Sequence, residues 1–251
     1  MDRPALLAAL RARVGRLERA GAAEALARTG EHAIPLAPGI DAALPGGDGL
    51  PRAALHEILA AGAGAAAGFA ALLLARSGGT VFWIARRPDA WPPGLARFGL
   101  SPSRLVLVQA EAESDALWAM EEALRCPAVS GALLMHEASG RPPDGVAARR
   151  LQLAAETGGG IGLLLREDED SPGPVLATTR WRISGRAGTG LSRHDLGDPQ
   201  WCLELLRARG AKPASWNVTW RAGTETLVPE GMADHDAEED GCDDAFAARL
   251  D

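Results

Sequence analysis

The chain has 251 residues, of which 47% are hydrophobic and 24% are charged. This composition is typical of a globular protein that buries one sizeable core. No run of about 18 apolar residues occurs, which argues against a membrane-spanning helix. The net charge is −7, and nine acidic residues beside one arginine fall in residues 230–251. The remainder is nearly neutral, which argues against a protein that binds nucleic acid through overall basic charge.

The three cysteines, at positions 126, 202 and 242, are widely separated and form no CxxC pair. This spacing argues against a disulfide framework and against a zinc site. It favours a reducing compartment, so we expect a cytoplasmic protein without a metal site or other cofactor.

The first 30 residues predict an amphipathic helix, because apolar side chains recur at helical spacing with arginines between them. Such a helix either packs on the chain's own core or docks onto another chain, and the pattern fits both. We assign residues 1–30 as a docking helix. Its apolar stripe consists of Leu6, Leu10, Val14 and Leu17.

Between residues 34 and 228, apolar runs alternate with helical patterns. The helix that begins near Ser114 is expected to use this serine as its N-cap, and the alternation in 179–184 is typical of an edge strand. Residues 198–220 predict one more helix and then an extended segment rich in tryptophan. The other predicted strands are 54–59, 80–85, 104–110, 130–137 and 161–167, and the other predicted helices lie near 66–76, 94–100 and 147–159.

Unbroken apolar strands that alternate with helices indicate an α/β fold. Its sheet should be mostly parallel and twisted, with helices on both faces. We place this core, with a Trp-rich extension, at residues 34–228. Residues 229–251 are acidic and rich in Gly and Asp, which predicts a disordered tail.

The loop after the first core strand is where such a sheet binds a nucleotide phosphate, and a triphosphate also needs a lysine and a hydroxyl residue that holds Mg²⁺. The loop AAGAGAAAGFA (60–70) keeps three glycines, Gly62, Gly64 and Gly68, but has neither of those side chains. Lys212 is the only lysine in the chain. The sequence therefore predicts a loop kept for its shape, with residual or no nucleotide binding.

The segment IDAALPGGDGLPRAALHEI (40–58) resembles the run that leads into the phosphate loop of RecA recombinases. The resemblance continues through VFWIA, RFGLSPSRLVLVQ, ALWAMEEALR, ALLMHE and RRLQLAAETGGGIGLLLRE, and covers roughly residues 36–185. It implies a RecA-like core.

Departures from the recombinase pattern fall on the machinery of hydrolysis. Alanine and glycine stand in place of the loop lysine and hydroxyl. Arg86 and Arg87 follow the strand after which recombinases keep a catalytic glutamate, and His136, just before Glu137, falls near the position of the magnesium-binding aspartate. The loss of all three parts implies a protein without ATPase activity.

Among RecA relatives, the chain resembles the ImuA family, accessory proteins of the bacterial damage-induced mutagenesis cassette. The matching motifs are LPRAALHEI, RRLQLAAE, TRWRI and a late W-x-x-E-L-L-R-x-R-G…W. The resemblance implies a non-catalytic connector in error-prone translesion DNA synthesis that binds ImuB, a Y-family polymerase homologue, and works beside an error-prone C-family polymerase. Self-association, contact with RecA and contact with DNA stay open.

Several side chains are candidates for a partner surface, because arginine and tryptophan are enriched at interface hot spots. The candidates are Arg149, Arg150, Arg207, Arg209 and Trp216. A packed core tryptophan and solvated arginines are the plainer alternatives, and Trp83 and Trp118 are expected in the core. His136 and Glu137 are neighbours on a strand and point to opposite faces, as do His56 and Glu57, so neither pair predicts a catalytic dyad.

Two other functions remain open from sequence. A division inhibitor that resembles SulA and acts on the FtsZ ring has the same degenerate core but is shorter. A RecA-like ATPase with an unconventional loop, completed by a neighbouring subunit, is the enzymatic alternative.

Overall fold

The structure, a computed structural model, describes residues 32–62, 64–88, 90–136, 143–168, 177–188 and 197–232. The predicted N-terminal helix with Leu6, Leu10, Val14 and Leu17 lies outside the described residues, as do Glu137 and the chain beyond residue 232. None of the described helices combines the length and the apolar character needed to cross a bilayer.

The described chain begins with a two-stranded antiparallel sheet, β1 (Ala33–Ile34) and β2 (Leu50–Pro51), joined through the short helix α1 (Pro38–Asp41). Gly49 has a φ of +119°, and a Cβ at this position would lie 2.2 Å from the carbonyl oxygen of Ile34. Only glycine fits this close approach, so the Gly-rich run before β2 serves the turn into the core.

A nine-stranded sheet follows. Its strands are β3 (Ala54–Ala61), β4 (Thr80–Ala85), β5 (Leu105–Gln109), β6 (Val129–Met135), β7 (Ile161–Glu167), β8 (Thr179–Arg186), β9 (Gln200–Ala208), β10 (Ala214–Arg221) and β11 (Thr226–Met232). Their spatial order is β11-β10-β9-β8-β3-β7-β6-β4-β5. Strands β3 to β8 pair in parallel, whereas β9, β10 and β11 pair antiparallel. The prediction of a mostly parallel sheet is confirmed.

Helices cover both faces of the parallel part, as predicted. Helix α2 (Ala65–Arg76) packs on one face, and α4 (Glu113–Arg125) and α5 (Gly145–Gly158) pack together on the other. Asp144 caps the start of α5 by accepting a hydrogen bond of 2.8 Å from the amide of Ala147, and Gly159, with a φ of 78°, ends it. A short helix α3 (Pro92–Ala96) and a 3₁₀ turn (Pro102–Arg104) precede β5.

Strands β9 to β11 form an antiparallel wing, and this part of the sequence prediction was wrong. Residues 200–208 form a strand and not a helix, because Trp201, Leu203 and Leu205 alternate into the core. Strand β8 is not an edge strand, since it lies between β3 and β9. The wing ends at Met232, four residues beyond the boundary expected at residue 228.

Tryptophan side chains of β8 and the wing fill the core on the α2 face. Phe69 of α2 lies 5.8 Å from Trp181 and 6.3 Å from Trp201 between ring centroids. Trp220 donates a hydrogen bond of 2.8 Å from its indole nitrogen to the carbonyl oxygen of Arg97. Trp216 is also buried, 4% exposed, so its assignment to a partner surface is wrong for this conformation.

Two further sequence expectations fail at single residues. Helix α4 begins at Glu113, and its N-cap Ala112 makes no side-chain hydrogen bond, so Ser114 lies inside the first turn. Trp83 is buried as expected, whereas Trp118 on α4 is 62% exposed. Cys126, at the end of α4, is a free, exposed cysteine.

The two edges of the sheet differ in character. Strand β5, at the end next to β4, exposes Val106 and Leu107, which are 37% and 40% accessible and point to opposite faces of the sheet. Strand β11, at the other end, carries the exposed Glu230, whose carboxylate pairs with Arg186 at 2.7 Å. Val228 of β11 is also 42% exposed, but β5, unlike β11, has no charged side chain.

Candidate functional site

The candidate phosphate loop lies at the carboxyl end of β3 and leads into α2. Gly62 and Gly64 have φ values of 100° and 88°, a left-handed conformation that favours glycine. A Cβ at either glycine would meet no atom within 4 Å. Both glycines thus border open space at the carboxyl end of β3, where the sequence predicts the phosphate loop.

Gly68 does different work from the other two glycines. It lies inside α2, and a Cβ there would come within 2.9 Å of Phe98 and 3.0 Å of Trp201. Glycine at this position therefore lets α2 pack closely against the aromatic core. The structure therefore explains the glycine at position 68 by helix packing and not by phosphate binding.

The only lysine in the sequence, Lys212, lies far from this loop. Lys212 lies in the turn between β9 and β10. This turn begins after Ala208, the last residue of β9, which pairs with Thr179. Thr179 in turn aligns with His56 near the start of β3, whereas the loop follows the end of β3. Lys212 therefore lies at the end of the sheet where β3 begins, and the loop lies at the end where β3 stops. Lys212 cannot serve as the lysine of the loop.

The neighbouring strand ends carry the other substituted positions. Arg86 and Arg87 follow β4 and are exposed. His136 follows β6 and is half-buried, and its amide donates a hydrogen bond of 2.7 Å to the carbonyl oxygen of Leu165. Its Nε2 atom is buried and has no hydrogen-bond partner among the residues that the structure describes. Arginines thus follow the end of β4 and a histidine follows the end of β6.

His56 and Glu57 point to opposite faces of β3, as expected, and each belongs to its own buried polar group. The Nε2 atom of His56 lies 2.9 Å from the carbonyl oxygen of Pro51, which can only accept, so Nε2 carries the proton. The hydroxyl of Thr179 then donates to Nδ1 at 2.8 Å and accepts from the indole of Trp181 at 2.9 Å. In this series of hydrogen bonds, both ring nitrogens of a neutral His56 have a partner.

Burial lowers the pKa of His56 to about 4, against 6.5 for a free histidine. A lowered pKa means that the unfolded chain binds the proton more readily, so this contribution to stability is complete above pH 6.5 and is lost as the pH falls towards 4. We expect the free energy of unfolding, relative to a His56→Gln variant, to fall by about 3 kcal/mol across this window. Urea titrations at several pH values measure the difference.

The matched control for this prediction is His32→Gln, because His32 is exposed at the start of the described chain. This variant should keep the wild-type dependence of stability on pH. An equal acid sensitivity in wild type and His56→Gln would contradict the assignment.

Glu57 lies between two buried arginines. Its Oε1 accepts from Nε of Arg166 at 2.7 Å, and its Oε2 accepts from Nε of Arg180 at 2.5 Å. The three side chains are 10%, 4% and 5% exposed, respectively. They join β3, β7 and β8 in the middle of the sheet, away from the open phosphate loop, and their mutual pairing indicates a structural role.

The predicted surface arginines divide into two groups. Arg150 on α5 forms a salt bridge with Glu121 of α4 and so links the two helices. Arg149 and Arg209 come together across a groove of about 360 Å³ between α5 and the start of β8. Arg207 is exposed on β9, two residues before Arg209.

An exposed apolar surface on the outer side of α4 and α5 was missed by the sequence analysis. Trp118 on α4 is 62% exposed, and Val146 and Leu153 on α5 are 70% and 44% exposed. Trp118 falls outside the buried stripe of α4, which contains Ala116, Met120 and Leu124. Helical spacing alone could therefore have placed it on the surface. We call these three residues the α4–α5 outer face.

The comparisons with known proteins identify a family. The chain is 40% identical over 223 residues to the protein ImuA of Caulobacter vibrioides strain NA1000 / CB15N, which covers 79% of this chain and 89% of the relative. ImuA of strain ATCC 19089 / CIP 103742 / CB 15 gives the same values. No family model matches the chain.

A solved structure agrees on the fold. The RadB recombinase superimposes with a TM-score of 0.55 at 12% identity, over 72% of this chain and 92% of that chain. The resemblances expected from the sequence are thereby confirmed, and the chain belongs to the ImuA family and has a RecA-like fold.

Proposed function

We propose that this protein is a non-catalytic accessory protein of damage-induced, error-prone translesion DNA synthesis. In this role it connects an ImuB-like Y-family polymerase homologue with an error-prone C-family polymerase. The observation that supports the proposal is an open glycine turn after β3, in a loop without lysine or hydroxyl side chains, in a chain of the ImuA family. Such a protein acts through the partners it holds.

Loss of hydrolysis follows from the charge at the loop. Transfer of a phosphoryl group requires cations that neutralise the developing charge, usually a loop lysine and Mg²⁺. The loop offers glycine and alanine side chains, and Lys212 lies at the opposite end of the sheet. Backbone amides alone supply partial charges, which do not compensate for both missing cations.

We expect the purified full-length protein to release no phosphate from ATP above background and to bind ATP–Mg²⁺ too weakly for calorimetric detection at millimolar nucleotide. Phosphate release and isothermal titration measure the two quantities. Turnover that persists in Arg97→Ala but disappears in Arg86→Ala/Arg87→Ala would support the enzymatic alternative. Arg97 is a suitable control because it is also an exposed arginine, but it follows α3 and not a strand of the sheet.

The accessory role is tested by the partners that the chain recovers. A tagged full-length chain, isolated from DNA-damaged cells, should bring down the ImuB-like protein and the error-prone polymerase, identified by mass spectrometry. Recovery of FtsZ without either polymerase would overturn the proposal in favour of a division inhibitor.

The α4–α5 outer face is the surface that we assign to the ImuB-like partner. Tryptophan is enriched at interface hot spots, and the exposed Val146 and Leu153 add apolar area on the neighbouring helix. The Arg150–Glu121 salt bridge and the packing of α4 on α5 hold both helices in a fixed arrangement. A preformed surface of this kind binds without the cost of ordering a loop.

A further inference from the structure

Four cationic side chains lie at the end of the sheet where β3 begins. Arg149 lies on α5, Arg207 on β9, and Arg209 and Lys212 in the turn that joins β9 to β10. All four are exposed. We call them the basic cluster.

The basic cluster is not neutralised by the part of the chain that the structure describes. No salt bridge joins any of its four side chains to another described residue, whereas other arginines around the wing are paired. Arg182 pairs with Asp168 at 2.6 Å, and Arg221 pairs with Asp198 at 2.8 Å. The cluster therefore carries an excess positive charge in a chain whose net charge is −7.

The groove beside the cluster has the shape to receive an extended segment. Arg149, Gln152 and Glu156 line its α5 side, and Thr178 and Arg209 line its sheet side. Gln152 is fixed in place, because it accepts a hydrogen bond of 2.9 Å from the amide of Leu55 and donates one of 2.9 Å to Glu156. The groove is polar and bordered by two arginines, which suits an acidic peptide.

The acidic segment 233–251 follows β11, whose last residue lies at the same end of the sheet as the basic cluster. Met232, the last residue of β11, pairs with Trp216, two residues after the start of β10 at Ala214. The basic turn with Arg209 and Lys212 directly precedes that start. Residues 233–251 contain eight acidic residues and one arginine. Nineteen residues can span up to roughly 60 Å, whereas β11 and β9 lie only about 10 Å apart.

We propose that the acidic segment 233–251 docks within its own chain on the basic cluster and the groove beside it. Its tether to β11 gives it a local concentration in the millimolar range, so a set of individually weak exposed ion pairs suffices for docking. The contact is sensitive to salt, because screening weakens exposed pairs. The docked segment covers this basic surface from other polyanions. The inference goes beyond the proposed function and does not depend on it.

A carbodiimide cross-link tests this docking on the intact chain, because Lys212 supplies the only side-chain amine in the protein. At low salt, amide bonds should join Lys212 Nζ to carboxylates of residues 234–244, as read by mass spectrometry of digested monomer. Mixed ¹⁵N-labelled and unlabelled protein should give products within one chain. At 0.5 M salt the cross-links should largely disappear.

Charge reversal provides the matched comparison. The variant Arg149→Glu/Arg209→Glu keeps Lys212 and should lose most of the cross-link, whereas Arg87→Glu/Arg97→Glu, which reverses two exposed arginines elsewhere, should keep it. Equal cross-linking in both variants contradicts the proposal, as do products only between labelled and unlabelled chains. Absence of any cross-link from Lys212 to the segment at low salt also overturns it. Thermal unfolding of both variants verifies that they are folded.

Discussion

Replacing Glu57 by glutamine should lower the free energy of unfolding by about 3–5 kcal/mol, the usual effect of removing one partner from a buried ion pair. Glutamine keeps the volume but removes the negative charge that both Arg166 and Arg180 contact. Desolvated guanidinium groups then remain in the middle of the sheet. Urea denaturation at pH 7 measures the change.

Glu204→Gln is the matched control for this substitution. Glu204, on the adjacent wing, lies 3.6 Å from Arg182, and both side chains are partly exposed. Solvent screens such a pair, so the loss should stay below about 1 kcal/mol. An equally small loss for Glu57→Gln would show that the buried group contributes little. Replacing all three buried residues by apolar ones of similar size should recover much of the lost stability.

Trp118→Ala should weaken binding of the ImuB-like partner by at least about 2 kcal/mol, roughly thirty-fold in Kd. The indole is largely exposed in the unbound protein, so its removal should leave the free energy of unfolding nearly unchanged. Separate measurements of binding, by titration calorimetry, and of stability distinguish loss of a contact from loss of folding.

Trp91→Ala controls for the removal of an exposed tryptophan as such. Trp91 is 70% exposed and precedes α3, away from the α4–α5 outer face. It should bind the partner as tightly as the wild type. A larger loss for Trp91 than for Trp118 would move the interface to the α3 region, and no loss for either would exclude both tryptophans from it.

The parallel part of the fold could be predicted because its strands carry a strong local signal. Residues 161–165 form an unbroken apolar run, since both faces of β7 are covered by helices. The glycine after α5 marked the end of that helix correctly. Long-range pairing has no such local signal, so β8 was mistaken for an edge strand.

The error at β9 has a different physical origin. Leucine, glutamate and arginine favour helices in isolation, and residues 200–208 are rich in them. Pairing with β8 and β10 overrides this preference, and the alternation of Trp201, Leu203 and Leu205 was the signal that indicated a strand. The two-residue alternation of buried side chains should have outweighed the helix propensity of these residues and indicated a strand.

The candidate site was only partly readable from sequence. The missing lysine could be recognised because the loop has a fixed chemical requirement, and the structure places Lys212 far from it. Surface position has no such requirement. Residue type alone placed Trp118 in the core and Trp216 at a partner surface, and burial is the reverse. The approach of Arg149 to Arg209 depends on tertiary packing across about 60 residues of chain.

No strand in the described part of the chain pairs with the outer side of β5, and this edge affects how the protein behaves when it is made alone. An edge strand with unpaired backbone groups and exposed apolar side chains on both faces is a template for further strands. Val106 and Leu107 supply those side chains, and neither proline nor lysine interrupts residues 105–109. Overproduction without a companion that covers this edge therefore favours aggregation, and co-expression with such a companion is the physical remedy.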